Sequence, residues 1–439
     1  MMFTLPTLED TFHHLGVDLG GTHFLLAYSG GLDSTVLMES MLQMARKHGF
    51  ALTLGHVNHH LRPDSDRDEV FCREMAKKAS VPFYCISLDP KGRVRESIES
   101  WARRERYAAL ERLRVKVNAN WTLTAHHADD QIETVLMRLL QKASLLSLAG
   151  IRPRMRHLLR PLLNYPKSIL HEWAVSENLR WIEDPSNTDM QYLRNQLRHG
   201  MIAQLILAEQ NHRRSLLDLA RLGQEYENHC SSLAMSIAAV AREGSIPGTA
   251  AIPKEVLVNT AEEDLFKLVI KRLVQDYLGL TVNLSAQHWQ NFRHFVLKSA
   301  VGKVFDLFDD VQILTDRSEL IIYQQSHVTP PKPSELELGR TKWGYHEFMV
   351  TTTRHGSAPG LWLRSWKPGD RIQLAPSGHS KLVSDLYIDS KLSRLEKVHW
   401  PVLTTPQDKI VWVPGLREPE TSLKRDLWEI KWQTEIRRK

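Results

Sequence analysis

Short apolar runs alternate with segments of helical period between residue 24 and about residue 139. The pattern predicts strands at 51–57, 83–88 and 121–125 and helices at 66–79, 97–115 and 129–140. Strands and helices that alternate at this spacing form βαβ units. We therefore expect an α/β fold with a doubly wound parallel sheet in the amino-terminal part of the chain.

A glycine-rich loop follows the first apolar run, residues 23–28, and reads Ser29-Gly30-Gly31-Leu32-Asp33-Ser34 before a helical pattern. Two glycines permit a tight turn with exposed N–H groups, and a helix start adds donors and a positive dipole end. Ser29 and Ser34 supply hydroxyls, and Asp33 can hold magnesium on phosphates. Because no Lys follows the glycines, the loop predicts a phosphate site other than a Walker loop, with a capped turn as the alternative.

Polar side chains also lie at the carboxyl ends of two other predicted strands, in His56-Val57-Asn58-His59 and in the stretch from His126 to Glu133. Ligands bind at the carboxyl ends of parallel strands, so these side chains are candidates for one site. Asp130 and Glu133 share one helix face and can hold magnesium or deprotonate an ammonium group, or they only complement the helix dipole. The paired histidines suggest zinc, although no ligand spacing supports it.

A second glycine pair, in Gly16-Val17-Asp18-Leu19-Gly20-Gly21-Thr22, resembles the first phosphate motif of sugar kinases and actin-like proteins. In those proteins the motif lies in a hairpin after a strand, whereas residues 8–15 predict a short helix here. The pattern favours the loop at Ser29 as the phosphate site and leaves a sugar kinase as a remote alternative.

The rest of the 439-residue chain predicts further domains. Helices are predicted over 197–240, 262–278 and 285–300, a linker at 241–253, and strands at 303–308, 311–314, 320–323, 361–366 and 410–413. A proline-rich break at 329–333 precedes the β-rich end. We predict a catalytic domain at 1–210, a helical substrate-positioning domain at 211–328 and a carboxyl-terminal α+β domain at 329–439.

Composition narrows the choice of partners and location. No apolar run approaches transmembrane length and no leader is apparent, so we expect a cytoplasmic protein without a membrane contact. Three cysteines without a CxxC pair argue against sulfur transfer and disulfides. The net charge of +6 and arginine clusters at 93–114, 152–160 and 194–214 favour a polyanionic partner, with solvated helix faces as the alternative.

The loop at Ser29 resembles the pyrophosphate loop (PP-loop) of the N-type ATP pyrophosphatases. The ordered motifs HVNHHLR, Ala102-Arg103-Arg104-Glu105-Arg106-Tyr107, HHADDQIET, Arg160-Pro161-Leu162-Leu163 and Asp184-Pro185-Ser186-Asn187 with Arg194 are similar to those of bacterial tRNA(Ile)-lysidine synthetases. The stretch from Arg364 to Arg371 resembles the carboxyl-terminal domain of that family. The resemblance implies that ATP adenylates C2 of the wobble cytidine in a tRNA(Ile) with a CAU anticodon. The side-chain amine of free L-lysine then displaces AMP.

The resemblance also implies roles for individual residues. The expected ATP-binding residues are Ser29, Gly30, Gly31, Leu32, Asp33, Ser34, His56 and His59, with Asp33 also on Mg²⁺. Asp130 and Glu133 are expected to hold and activate lysine, and Arg194 to position its carboxylate or the adenylated intermediate; with Asp33 they form the expected catalytic set. The expected contacts to phosphate or RNA are Arg103, Arg106, Arg364 and Arg371.

One stretch departs from the family: residues 141–151 keep Gly150 but have lost other glycines that would let the backbone approach RNA or a nucleotide closely. The alternatives are a tRNA thiolase, an ammonia-dependent synthetase and an RNA-binding protein with a relic loop. A thiolase would need catalytic cysteines, which are missing, and an ammonia-dependent synthetase would need a glutaminase partner domain. The sequence leaves the oligomeric state open, a homodimer included.

Overall fold

The computed structural model describes residues 3–60, 64–89, 98–141, 143–183, 210–352, 358–374, 379–417 and 428–436. The chain forms two compact units, residues 1–228 and residues 229–439. The finer division into three domains remains a prediction.

The amino-terminal unit contains a six-stranded sheet with the strand order β3-β2-β1-β4-β6-β5. Its strands are β1 (His23–Ala27), β2 (Ala51–Asn58), β3 (Phe83–Ser87), β4 (Trp121–Leu123), β5 (Arg154–Met155) and β6 (Leu158–Leu159). The helices are α1 (Leu5–His14), α2 (Leu32–His48), α3 (Ser65–Lys78), α4 (Ile98–Lys116), α5 (Ala128–Leu140), α6 (Leu145–Leu148) and α7 (Lys167–Ser176), followed by α8 (Gln210–Ala238), which crosses the unit boundary. All pairings are parallel except that of β5 with β6. The predicted α/β fold with a parallel sheet is confirmed.

Strand β1 is apolar at every central position because both faces of the sheet are covered. Phe24 and Leu26 belong to one buried cluster, together with Met41 of α2. Leu25 points to the opposite face, where it packs with Leu110 and Leu113 of α4. The carboxyl end of β1 therefore emerges between two helical layers, which is where the glycine-rich loop begins.

The motif from Gly16 to Thr22 connects helix α1 to strand β1. Its Asp18 side chain accepts a hydrogen bond from the Gly20 N–H group at 3.0 Å, and the Thr22 hydroxyl donates to the Asp18 carbonyl at 2.6 Å. These bonds close a local turn. Because a helix and not a strand precedes it, the motif lacks the hairpin setting of a kinase phosphate loop.

The carboxyl-terminal unit is built mainly from antiparallel sheets. Its helices after α8 are α9 (Lys254–Asn259), α10 (Glu263–Leu278), α11 (Ala286–Lys298), a 3₁₀ turn (Gln325–Val328), α12 (Val383–Asp389) and α13 (Arg394–His399). A five-stranded sheet contains β7 (Arg242–Glu243), β8 (Ala250–Pro253), β9 (Val304–Phe308), β10 (Val311–Asp316) and β11 (Glu319–Gln324). Smaller sheets contain β12 (Ser334–Glu335), β13 (Gly339–Trp343), β14 (His346–Thr352), β15 (Trp362–Ser365), β16 (Arg371–Leu374), β17 (His379–Leu382), β18 (Pro401–Thr404), β19 (Ile410–Trp412) and β20 (Trp428–Thr434).

The predicted linker at 241–253 is wrong. Strand β7 pairs with β8, and β8 pairs antiparallel with β11. Ala250, Ala251 and Ile252 are buried in the sheet. The sequence did not indicate a strand here, because small residues next to Gly and Pro are also typical of a linker. The apolar side chains of β8 become buried only when the sheet packs against the helices.

The described helices include none that is both long and apolar enough to cross a membrane.

Candidate active site at the carboxyl edge of the parallel sheet

The glycine-rich loop is held by contacts with helix α3 and with the segment at Ile182. Gly30 has a φ of +78°, and a Cβ atom there would lie 2.9 Å from Ile182 Cδ1 and 3.0 Å from Cys72 Sγ. The Ile182 N–H group donates to the Gly30 carbonyl at 2.8 Å. Only glycine combines this backbone conformation with this close packing. The loop is therefore preshaped by the fold.

The start of helix α2 has no side-chain cap. Gly31 is the N-cap, so the first N–H groups of the helix have no side-chain acceptor from that position. A Cβ atom at Gly31 would meet its nearest neighbour, Ser29 Oγ, at 3.5 Å. Neither the backbone conformation at residue 31 nor the packing within the protein therefore requires glycine. A helix start without a side-chain cap and with an exposed backbone is suited to binding an anion.

The two serines of the loop differ in exposure. Ser34 is buried, its hydroxyl donates to the Gly31 carbonyl at 3.0 Å and its Oγ accepts from the Ser29 N–H group at 3.3 Å. Ser29 is exposed, with its Oγ 3.1 Å from that of Ser34. Ser34 therefore shapes the loop from inside, and Ser29 presents its hydroxyl at the surface.

A buried histidine connects the loop to the start of helix α5. His127 is 3% exposed, and its Nε2 lies 3.6 Å from both Asp33 Oδ2 and Asp130 Oδ2. The backbone N–H group of His127 also donates to Asp130 Oδ2 at 3.0 Å. Asp33 and Asp130, far apart in sequence, therefore face the same imidazole.

Asp129 lies on the other side of the same imidazole, with its Oδ2 3.6 Å from His127 Nδ1. Its Oδ2 accepts from the Lys167 N–H group at 2.7 Å and forms an ion pair with Arg213 Nη2 at 2.5 Å. It ties helices α5, α7 and α8 together. Glu133 is 1% exposed on the next turn of α5, so the predicted shared face of Asp130 and Glu133 points inward.

The histidines that end strand β2 have different surroundings. His56 is buried, its Nδ1 lies 2.9 Å from the Tyr28 carbonyl oxygen, and its ring stacks on Phe83. Burial lowers the pKa of His56. Burial also lowers the pKa of His59 to about 4, helped by the charge of Arg106. Both imidazoles are neutral at physiological pH.

His126, next to His127, meets a basic environment. Burial and the charges of Arg160, Arg106 and Arg103 lower its pKa to about 3, against an opposing effect of Asp130. The guanidinium carbons of Arg103 and Arg106 lie 5.3 and 5.4 Å from the centre of the Tyr107 ring. The sequence motifs contained Tyr107 and Arg160, but we assigned neither a role; only their convergence reveals them.

The stretch that departs from the family is ordered against helix α5 in its described part, residues 143–151. The Gln131 amide donates to the Ile151 carbonyl at 3.2 Å and accepts from its N–H group at 2.6 Å. Arg138 donates to the carbonyls of Ser147 and Gly150. Of the described residues here only Gly150 has positive φ, +64°, and a Cβ there would clash with Gln131. The glycine that the backbone needs is thus retained.

The other predicted site residues are less informative. Arg194 and the motif from Asp184 to Asn187 lie outside the described residues. Arg371, in the carboxyl-terminal unit, is exposed and its Nε donates to Ser380 Oγ at 2.9 Å. The expected roles of both arginines remain predictions.

The described residues contain no cluster of His, Cys, Asp or Glu side chains that could by itself hold a metal ion, so they give the zinc alternative no support.

Arg364 is occupied by protein carboxylates. It is 6% exposed, and its guanidinium donates to both Asp370 oxygens at 2.8 and 3.0 Å and to Asp408 Oδ1 at 2.6 Å. Burial lowers the pKa of Arg364, but the two carboxylates outweigh that effect and raise it. The expected RNA contact of Arg364 stays a prediction, and these bonds indicate that it holds the turn at 367–370.

Comparison with known proteins agrees with this geometry. Residues 5–205 match the PP-loop domain family, and residues 361–432 match the TilS substrate C-terminal domain family. The tRNA(Ile)-lysidine synthase of Thermotoga sp. (strain RQ2) is 25% identical over 415 residues, which cover 90% of this chain and 92% of that protein. The tRNA(Ile)-lysidine synthase of Parabacteroides distasonis is 29% identical over 90% of this chain and 90% of that protein. That of Alkalilimnicola ehrlichii is 38% identical over 44% of each chain.

The glycine-rich loop and parallel sheet thus define an ATP-using PP-loop enzyme. The second matched domain and the full-length similarities narrow the class. The chain carries a PP-loop domain and a TilS substrate C-terminal domain, is similar over 90% of its length to tRNA(Ile)-lysidine synthases, and is an ATP-dependent ligase.

Proposed function

We propose that this protein ligates free L-lysine to C2 of the wobble cytidine in a tRNA(Ile) with a CAU anticodon. ATP is cleaved to AMP and pyrophosphate, and the lysidine formed pairs with A instead of G. The observation that carries the proposal is the convergence of Asp33, His127 and Asp130 beside the preshaped loop of a chain that matches both domain families.

In the first step, the C2 oxygen of cytidine attacks the α-phosphate of ATP and pyrophosphate leaves. The N–H groups of the loop and of the uncapped α2 start bind the pyrophosphate portion, with the exposed Ser29 hydroxyl as a further donor. Ser34 and Gly30 act indirectly because they fix the loop. His56 and His59 border the nucleotide.

Asp33 fits a role in magnesium binding. Mg²⁺ is usually held by one or two carboxylates together with substrate phosphates, and Asp33 lies in the first turn of α2 beside the loop. The ion would neutralise charge on the leaving pyrophosphate.

In the second step, the lysine ε-amine attacks C2 and AMP leaves. Asp130 and Glu133 orient the amine and accept its proton, because carboxylates on one inward face can hold an ammonium group before it reacts. Glu133→Ala should therefore impair lysine transfer more than AMP formation. Equal losses in both steps would contradict its assignment to lysine.

The experiment measures transfer of labelled lysine, with ATP and magnesium, to an isoleucine tRNA transcript with a CAU anticodon. A methionine tRNA with the same anticodon is the control. Label on the isoleucine tRNA alone supports the proposal. RNA-dependent AMP release without label on either RNA would mean that another nucleophile completes the reaction.

A further inference from the structure

Three buried polar atoms at the carboxyl edge of the sheet have no hydrogen bond of standard geometry to any described residue. They are the Tyr107 hydroxyl, Arg160 Nε and His59 Nδ1. Arg160 is 4% exposed, its Nη1 donates to the Arg152 carbonyl at 2.6 Å, and its guanidinium also lies within reach of the Tyr107 hydroxyl. Buried polar groups are nearly always paired, so an unpaired set in one place indicates a binding site.

The same place concentrates positive charge. Burial raises the pKa of Tyr107, but Arg103, Arg106 and Arg160 outweigh it and lower the pKa below its usual value. Arg106 also lowers the pKa of His59, and all three arginines lower that of His126. Several guanidinium groups near one hydroxyl favour an oxyanion between them.

The basic cluster and the PP-loop lie on different sides of the end of strand β4. His127 Nε2 lies 3.6 Å from both Asp33 and Asp130, whereas burial and the charges of Arg160, Arg106 and Arg103 lower the pKa of the preceding residue, His126, against the opposing charge of Asp130. Successive side chains of an extended segment point in opposite directions. A basic side next to helix α4 therefore adjoins the acidic groups next to the PP-loop, and Asp130 acts on both histidines.

The basic side leads from the interior to the surface. Arg160 is buried, Arg106 is half-buried and Arg103 is exposed. A single carboxylate would neutralise only one of these charges. A polynucleotide strand can match a row of them, with one phosphate at the buried end.

We propose that Arg160, Tyr107 and Arg106 form an oxyanion subsite that binds a backbone phosphate of the RNA substrate. It is distinct from the loop that takes the ATP phosphates. Arg160 and the Tyr107 hydroxyl donate to the phosphate, and His59 and His126 stay neutral beside it. The assignment rests on the proposed function, because it takes the second substrate to be RNA.

The test compares Arg160→Gln and Tyr107→Phe with the wild type. Arg112→Gln is the control, since Arg112 is exposed on helix α4 about two and a half turns beyond Arg103 and therefore on the opposite face of the helix. Binding of the isoleucine tRNA transcript is measured by anisotropy over a series of salt concentrations. We expect Arg160→Gln to weaken binding about tenfold and to lower the slope of log Kd against log salt by roughly one. Tyr107→Phe, which keeps the ring, should weaken binding severalfold without a change of slope.

Parallel measurements assign the source of the oxyanion. Affinity for a fluorescent ATP analogue and the KM for lysine should be unchanged in both variants. Weaker ATP binding with normal RNA binding would place an ATP phosphate in the subsite and overturn the proposal. A raised lysine KM alone would place the lysine carboxylate there and also overturn it.

Two further outcomes are decisive. If Arg160→Gln fails to fold by circular dichroism, Tyr107→Phe decides alone, and unchanged RNA affinity in that variant overturns the subsite. If wild-type protein transfers no lysine but the variants lose salt-dependent RNA affinity, the proposed function fails and the RNA subsite stands.

Discussion

Arg160 and Arg364 are buried to nearly the same extent, 4% and 6% exposed, in the two units of the chain. Arg364 is bonded to the carboxylates of Asp370 and Asp408. Arg160 has a backbone carbonyl and other guanidinium groups as neighbours, and no described carboxylate within ion-pair distance. A buried charge is costly unless it is paired. The paired arginine supports the architecture, whereas the arginine that has no counter-charge among the described residues indicates a ligand.

The comparison predicts that the amino-terminal site loses function without losing stability. Asp33→Asn keeps the size of the side chain and removes the charge expected on the magnesium–phosphate complex. We expect RNA-dependent AMP formation to fall by about 10³-fold or more. A chemical denaturation midpoint equal to the wild type serves as the control. Residual activity within tenfold of wild type would contradict a role for Asp33 in the chemistry.

The two arginines should respond oppositely to the same substitution. Arg364→Gln removes the cation between Asp370 and Asp408 and leaves only Lys367, which pairs with Asp408, so it should cost about 3 kcal/mol of stability. Arg160→Gln removes a buried charge that has no described carboxylate, so its cost should be smaller. Hydrogen exchange resolved by peptide measures each unit separately. Comparable losses of protection in both variants would break the distinction.

Acid should destabilise the carboxyl-terminal unit through His346, which is 1% exposed. Its Nε2 donates to the His399 carbonyl at 2.9 Å and its Nδ1 accepts from Trp432 Nε1 at 3.2 Å, which fixes the neutral ring. Burial lowers the pKa of His346 to about 4.

The sign of this effect follows from the unfolded pKa of about 6.5. Between that pH and about 4, His346 is protonated in the unfolded chain but stays neutral in the folded protein, so the free energy of unfolding falls as the pH drops. Below about pH 4 both states are protonated, and the contribution of His346 no longer changes. The loss contributed by His346 should total about 3 kcal/mol. Unfolding free energies over this range measure it, with His346→Asn, which cannot titrate, as the comparison. The exposed His379→Asn is the control and should keep the wild-type pH profile.

The smallest effects should distinguish two adjacent glycines. Gly30→Ala forces a Cβ against Ile182 and Cys72 at positive φ, and should destabilise the protein by roughly 1–3 kcal/mol. Gly31→Ala has room within the protein and should leave stability within about 0.5 kcal/mol. Weaker binding of an ATP analogue by a fully stable Gly31→Ala protein would show that its bare backbone serves the ligand.

The alternation of apolar and amphipathic segments alone determined the parallel sheet and the loop at its edge. The bounds of β1 to β4 followed from the sequence to within about two residues, because a strand in a covered sheet needs an apolar run. The two-residue strands β5 and β6 were not predicted, because they are too short to give a pattern. Strand β8 was not predicted because short runs of small residues are equally compatible with a linker.

Within the site, the sequence identified residue types, and the tertiary structure decided their partners. The adjacent histidines His126 and His127 look equivalent in the sequence, yet the charges of three arginines act on His126 and His127 lies beside aspartates. Arg160 and Arg364 both lie in motifs of basic and apolar residues, and among the described residues folding supplied carboxylates to Arg364 alone. Charge pairing and burial depend on contacts between residues distant in sequence, and those contacts exist only after the chain folds.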